Sequence, residues 1–215
     1  NRPDAPDHLD DSTVQTYRPE NHTSNGIFRG TKADVWEAGH RVPFFARWPE
    51  KIKAGSKCLQ TITHTDLFAT CVELAGAELP EKGAEDSFSW VPLFEGKSDQ
   101  FKRAPVINHS ANGTFAIRDG EWKLVLSNGS GGREKPRGKP FGKPYQLYDL
   151  KNDPGEKKNV QSAHPDKVKE MVALLKQLVA DGRSTPGACQ ENDVPVDIWK
   201  LDTMPGIDPA VADDY

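Results

Sequence analysis

The second half of the chain contains four short strand-like segments, and their order restricts the fold more than any other feature of the sequence. The segments are rich in β-branched and aromatic residues and are predicted at residues 105–108, 113–118, 121–126 and 146–149. Asp119-Gly120 separates the second segment from the third and is typical of a two-residue hairpin turn. The pattern therefore predicts a small antiparallel sheet.

A helix is predicted after the sheet. Pro165 suits its first position, Gly182 suits its end, and apolar residues between them recur at helical spacing. The recurring residues are Val168, Met171, Val172, Leu175, Leu178 and Val179. This helix is expected to cover one face of the sheet.

In the third strand Lys123 and Val125 alternate with apolar neighbours, which predicts one buried and one solvated face.

The first half of the chain predicts one strand and one helix. Residues 41–48 are dense in apolar and aromatic side chains, which favours a buried strand. Thr63 and Asp66 form a T-x-x-D capping box that predicts a helix start, and Gly76 predicts its end. The residues expected on the buried helix face are Leu67, Phe68, Cys71, Leu74 and Ala75. A strand followed by a helix is the unit of an α/β sheet.

Charge and hydropathy exclude two function classes. The 28 Lys+Arg and 32 Asp+Glu give a net charge of −4, which argues against a nucleic-acid binder. No apolar stretch reaches the roughly 18 residues that span a membrane. The polar start lacks Met and a signal peptide, so we do not expect it to be the biological N-terminus.

Three cysteines, Cys58, Cys71 and Cys189, leave the redox compartment open. Their spacing contains no C-x-x-C, so neither a zinc ribbon nor a redox pair is indicated. A Cys58–Cys71 disulfide is one alternative. The other is that Cys71 is a small apolar residue on a buried helix face.

Six segments, in order along the chain, resemble motifs of the formylglycine-dependent sulfatases of the arylsulfatase family. They are residues 25–43 (NGIFRGTKADVWEAGHRVP), 64–70 (HTDLFAT), 85–89 (EDSFS), 115–124 (FAIRDGEWKL), 147–156 (LYDLKNDPGE) and 182–187 (GRSTPG). Where the family has Gly-Gly, this chain has Ala38-Gly39. One such match would be weak, but six in the same order are specific.

The resemblance implies the C-terminal part of an α/β, alkaline-phosphatase-like fold. Residues 1–100 are then the end of the large catalytic domain, residues 101–187 a small antiparallel-sheet subdomain with a covering C-terminal helix, and residues 188–215 an irregular tail. The larger N-terminal part of the enzyme is expected to be missing from this chain. A periplasmic or secreted location is expected, with the signal peptide in that missing part.

The resemblance also implies a sulfuric ester hydrolase that acts on a sulfated carbohydrate. Lys32 lies at the position of the sulfate-binding lysine of the family, where a fixed ammonium group stabilises developing negative charge. His109 and His40 are expected to contact substrate. Glu37 and Arg41 are expected to form a structural ion pair.

Calcium and formylglycine are implied for the full-length enzyme, but their protein partners are not recognised in this chain. None of the three cysteines is followed by x-Pro-x-Arg, and the nearest pattern, at Ser184, has Ala188 where Arg belongs. The acidic residues Asp7, Asp10 and Asp11 carry oxygens that suit calcium, yet they fit a solvated loop better. We therefore expect no metal ligand here, and a chain that is inactive alone.

A basic stretch leaves one question open. Residues 133–143 contain five basic residues and one acid, a local charge of about +4. The stretch is either a solvated hairpin loop or a basic lip for an anionic polymer. Two alternative functions remain: a non-catalytic module that binds anionic glycans, and a phosphodiesterase or phosphonate hydrolase of the same superfamily.

Overall fold

A four-stranded antiparallel sheet lies at the centre of the computed structural model, which describes residues 24–139 and 142–199. The strands follow one another in space as they do in sequence. They are β1 (Val106–His109), β2 (Phe115–Asp119), β3 (Trp122–Val125) and β4 (Gln146–Asp149). The sheet predicted from the four strand-like segments is confirmed.

The β2–β3 hairpin is present, with its turn one residue later than predicted. Asp119 pairs with Trp122, so the two loop residues are Gly120 and Glu121. Gly120 has φ of +56°, a value that glycine adopts at the first loop position without steric cost.

A 17-residue helix, Pro165–Asp181, covers one face of the sheet, as the sequence predicts. Its Val168, Met171, Val172 and Leu175 are buried against strand residues that include Ile117, Leu124 and Leu147. Gly182 ends the helix in the left-handed conformation, with φ of +62°. In chain order this helix is α4, after α1 (Glu37–His40), α2 (Asp66–Leu74) and α3 (Val91–Phe94).

The other face of the sheet is covered as well, by the segment that ends in α1. Val35 and Trp36 are completely buried there against Ala116, Val125 and Tyr148. The prediction that β3 has a solvated face is therefore wrong: Lys123 and Val125 are both 0% exposed. The covering segment is remote in sequence, and so the local alternation of β3 does not reveal it.

The predicted strand at residues 41–48 is absent. The backbone there has no strand hydrogen bonding, and Phe45 is 92% exposed. Strand propensity indicates only that side chains suit a pleated, half-buried surface. No strand of the described sheet pairs with this segment.

The α2 helix is confirmed, but its predicted buried face is wrong. Thr63 donates its backbone N–H to Asp66 Oδ2 at 2.8 Å, which is one half of the predicted capping box. The residues that α2 buries are Asp66, Ala69 and Thr70, whereas Leu67 and Phe68 are about half exposed. The reason is that α2 packs through hydrogen bonds: Asp66 and Thr70 accept from the backbone of residues 88 and 90.

The three cysteines do not pair with one another. All three thiols are free and exposed, so the Cys58–Cys71 disulfide is not formed and the buried position predicted for Cys71 is wrong. Ile198 and Trp199 pack into the core under α4. The acidic group at residues 7–11 lies outside the described residues. Among the described helices, none is both long and apolar enough to cross a bilayer.

Candidate functional site

Lys32 is exposed on a short loop whose backbone is fixed by one buried carboxylate. Asp34 is 0% exposed, and its Oδ2 accepts the backbone N–H of Thr31 at 2.8 Å. Its Oδ1 accepts the backbone N–H groups of Arg133 and Glu134 in the β3–β4 loop. The carboxylate of Asp34 therefore fixes the loop with Lys32 in two places: at Thr31, the residue before Lys32, and at the β3–β4 loop.

Gly39 also shapes this loop. A Cβ atom at position 39 would lie 2.0 Å from the carbonyl oxygen of Asp34, much closer than any van der Waals contact allows. Only a residue without a side chain fits between α1 and the loop. Packing, which the sequence alone does not show, therefore requires the glycine here.

A buried group of ionised side chains lies directly beneath the segment with Lys32. Lys123 Nζ is 3.1 Å from Glu37 Oε1 and 3.1 Å from Glu156 Oε1, and all three side chains are at most 4% exposed. Arg118 and Arg41 each approach Glu37 Oε2 at 2.8 Å. The predicted Glu37–Arg41 ion pair is confirmed, and it is one contact of a larger network.

The two carboxylates of this network have opposite pKa shifts. Burial alone raises the pKa of Glu37, but Lys123, Arg118 and Arg41 outweigh it and hold that pKa below its usual value. Burial raises the pKa of Glu156, against the weaker opposing attraction of Lys123. The difference follows from the number of cations, because Glu37 has three close partners whereas Glu156 shares Lys123.

Glu156 connects this network to the backbone of α1. Its Oε2 accepts the backbone N–H of Glu37, the first residue of α1, at 2.6 Å. Arg29 donates to the backbone carbonyl of Glu156 at 3.0 Å. Sequence reasoning missed Lys123 and Glu156 as site-forming residues. The available signal was that both belong to sulfatase-like motifs, WKL and LYDLKNDPGE.

A cavity of about 360 Å³ opens beside α1, lined by polar and apolar side chains together. His40 and Asn108 contribute polar groups, and Phe44 and Trp90 contribute apolar surface. The Nε2 atom of His40 is buried and has no hydrogen-bond partner within the described residues. Burial, with a smaller repulsion from Lys123, lowers the pKa of His40 to about 4. At neutral pH this imidazole is uncharged, with one N–H donor and one acceptor nitrogen.

The three predicted site residues lie on neighbouring segments: Ala111, two residues after His109, donates its backbone N–H to the carbonyl of Ala33 beside Lys32, and His109 acts electrostatically on His40. His40 lines the cavity, while Lys32 lies on the adjacent loop and is not among the lining residues. His109 is exposed at the end of β1 and its ring lies 4.1 Å from that of Phe115, on the opposite face of the strand from Asn108. The roles of Lys32, His40 and His109 stay predictions.

Neither implied cofactor fits the described residues. No group of three or more His, Cys, Asp or Glu side chains in residues 24–139 and 142–199 is arranged to hold a metal ion. The three cysteines in this part lack the x-Pro-x-Arg context of a formylglycine precursor. No chemical step through calcium or formylglycine can be assigned to these residues.

Comparison with known proteins decides the family. Residues 26–184 match the family model described as N-sulphoglucosamine sulphohydrolase, C-terminal. The chain belongs to the sulfatase family. The match contains the loop with Lys32, the ion network and the four-stranded sheet, and it ends just after α4.

Similar proteins agree with this assignment. An N-acetylgalactosamine-6-O-sulfatase of Bacteroides thetaiotaomicron is 37% identical over 75% of this chain and 32% of its own length. An ulvan-active sulfatase of Formosa agariphila is 29% identical over 89% of this chain and 41% of its own length. A solved structure from work on the metabolism of multiple glycosaminoglycans by B. thetaiotaomicron has a TM-score of 0.64 at 35% identity, covering 74% of this chain and 33% of that one.

Two conclusions follow from these comparisons. The chain spans between about a third and two fifths of the length of these three proteins. Its fold is the C-terminal portion of the α/β, alkaline-phosphatase-like sulfatase fold, as the sequence motifs predict.

Proposed function

We propose that this chain is the C-terminal part of a sulfatase that hydrolyses sulfate esters on a sulfated carbohydrate, with Lys32 contacting the sulfate group. The observation that carries the proposal is the fixed loop of Lys32 within the matched family region. Asp34 holds the backbone on one side of the loop and Glu156 holds the start of α1 on the other. An exposed ammonium group is thereby presented from a backbone that cannot easily move.

The chemistry of sulfate esters suits a fixed cation at this place. The ester is negatively charged, and cleavage of the S–O bond moves further charge onto the bridging oxygen. A preorganised ammonium group stabilises that charge more in the transition state than in the ground state. Neutral His40 offers a hydrogen bond to a sugar hydroxyl or a sulfate oxygen, and His109 is proposed as a second contact to the substrate.

The remaining requirements are placed outside the described residues. Formylglycine, the catalytic group typical of this family, would supply the nucleophile to sulfur in the whole enzyme, and calcium would balance the sulfate charge. We propose that both are held by a further, N-terminal part of the same enzyme, which is then the partner of this chain. A periplasmic or secreted location remains part of the proposal, and fractionation of the source cells tests it.

The central experiment compares Lys32→Ala with Lys57→Ala in the intact enzyme. Both lysines are exposed, but Lys57 lies outside the loop. With an aryl sulfate as substrate, Lys32→Ala should lower kcat by about 10²- to 10³-fold, the usual effect of deleting one charge-stabilising group. Lys57→Ala should behave as the unmodified enzyme.

Other outcomes identify the alternatives. Turnover of Lys32→Ala within threefold of the unmodified enzyme would refute the role of Lys32. Preferential cleavage of phosphodiesters or phosphonates would identify the superfamily alternative. Binding of sulfated oligosaccharide by an enzyme that cleaves none of these esters would favour a glycan-binding module.

A further inference from the structure

The loop between β3 and β4 carries a concentrated positive charge. Residues 133–139 contain four basic residues, Arg133, Lys135, Arg137 and Lys139, and one acid, Glu134, for a local charge of 4 − 1 = +3. All four basic residues are exposed. The chain as a whole carries −4, so the charge of this loop is opposite in sign to the net charge of the chain. Such a local excess attracts anions.

The backbone of this loop, residues 127–139, is closely bonded to itself. Ser130 and Gly131 donate their backbone N–H groups to the carbonyls of residues 136 and 137 at 2.9 and 2.7 Å. Ser127 donates its hydroxyl to the carbonyl of Lys139 at 2.9 Å. The basic side chains therefore extend from an ordered backbone, which lowers the entropy lost when a ligand orders them.

The same loop is in direct contact with the loop of Lys32. A Cβ on Gly132 would lie 2.2 Å from the carbonyl oxygen of Ala33, so the two backbones touch at this point. The carboxylate of Asp34 accepts the backbone N–H groups of residues 133 and 134. Lys32 precedes Ala33 and Arg133 follows Gly132, so this contact brings the positively charged residues of the two loops close together.

We propose that residues 127–139 form a second anion-binding site, which holds sulfate groups on sugar units adjacent to the unit whose sulfate contacts Lys32. The proposal rests on the proposed function and extends it from a single ester to a polysulfated chain. Cations on one ordered loop suit a polymer with repeated sulfate groups, because each sulfate needs only a nearby positive charge. Binding of single-stranded nucleic acid usually requires aromatic side chains for stacking, and residues 127–139 contain none.

The test measures binding to the intact enzyme by calorimetry. The loop variant is Arg137→Gln/Lys139→Gln, and the control Lys157→Gln/Lys169→Gln removes the same charge from exposed positions outside the loop. The probes are a chondroitin sulfate hexasaccharide, N-acetylgalactosamine 6-sulfate as a single sugar, and a single-stranded oligonucleotide. The loop variant should raise the Kd of the hexasaccharide about 2- to 30-fold and leave that of the single sugar unchanged. The control should change neither.

Four results would contradict the proposal or separate it from the proposed function. An unchanged hexasaccharide Kd in the loop variant overturns it, and so does an equal loss for the single sugar, which indicates a structural effect. Tighter loop-dependent binding of the oligonucleotide than of the hexasaccharide overturns it in favour of nucleic acid. An enzyme without sulfatase turnover that still shows loop-dependent hexasaccharide binding refutes the proposed function and retains this site.

Discussion

Replacing Lys123 with methionine removes the cation that lies between two buried carboxylates. Lys123 is 0% exposed and lies 3.1 Å from an oxygen of Glu37 and 3.1 Å from an oxygen of Glu156. Breaking a buried ion pair by deleting one partner typically costs about 3–5 kcal/mol, because the remaining charge stays buried without compensation. For a unit of this size that cost corresponds to a decrease in Tm of about 6–20 °C.

The loss should fall mainly on Glu156. Glu37 retains Arg118 and Arg41, each at 2.8 Å, whereas Glu156 loses the cation beside its Oε1. The double variant Lys123→Met/Glu156→Gln should therefore be more stable than Lys123→Met alone by more than about 1 kcal/mol, a size typical of directly coupled residues.

The effect should also depend on pH in a definite direction. The pKa of Glu156 is already raised by burial, and loss of Lys123 raises it further. A carboxyl group with a raised pKa in the folded state binds a proton more readily folded than unfolded, so it destabilises the fold when ionised and less as pH falls. Glu37 has a lowered pKa, and its contribution to wild-type stability fades as pH falls through the acidic range. The difference between wild type and variant should thus shrink from pH 7 towards about pH 4–5.

Thermal and denaturant unfolding of the intact protein at pH 7 and pH 5 measures these differences. Lys151→Met is the matched control, since Lys151 is 64% exposed and pairs loosely with Glu121 at 3.6 Å. Its expected cost is below about 1 kcal/mol. If the free energy of unfolding of Lys123→Met at pH 7 lies within about 1 kcal/mol of the wild-type value, the argument that the network fixes the segment of Lys32 is refuted.

Two further predictions concern the same segment. His40 should remain uncharged down to about pH 4, so its NMR chemical shifts should not titrate between pH 6 and 8; an NMR midpoint near 6.5 would contradict this. Because its pKa is lowered in the fold, the stability of the protein should decrease as pH falls from about 6.5 to 4. His40→Gln should remove this pH dependence. Gly39→Ala should destabilise the fold far more than Gly55→Ala, because a Cβ at position 39 would overlap the carbonyl of Asp34. Position 55 has open space, and its φ of +73° costs a side chain about 1–2 kcal/mol. Equal unfolding midpoints for the two variants would contradict this.

The sequence predicts the sheet and α4 well because both are encoded by neighbouring residues. The hairpin needs only a turn pair and two flanking strands, and α4 needs only its own periodicity and end signals. The predicted turn is displaced by one residue, since Asp119 pairs within the ladder and Gly120 begins the loop. Errors of this size are expected where a boundary depends on register.

The errors lie where a distant segment or a missing partner decides the outcome. The alternation of β3 predicts that Lys123 faces solvent. Lys123 is instead buried against Glu37, which lies 86 residues earlier in the sequence. Residues 41–48 have strand propensity without a described strand to pair with. In α2 the hydrogen bonds that Asp66 and Thr70 accept from backbone N–H groups decide the buried face, and apolar periodicity does not contain that information. For the candidate site, motif resemblance named Lys32 and His40, whose roles stay predictions, while the contacts of Glu156 and Asp34 were seen only in the structure although both residues lie in the matched motifs.

The contact between Glu37 and Glu156 sets an order of events when the protein is made. The first backbone N–H of α1 donates to the carboxylate of a residue 119 positions later in the chain. At ordinary translation speeds that interval is about 6–24 s, during which the segment with Lys32 has neither the side chain of Lys123 nor that of Glu156 to close upon for most of the time. The sheet hairpins can form as soon as they are synthesised, but the loop of Lys32 reaches its final shape only after all four strands and Glu156 have left the ribosome.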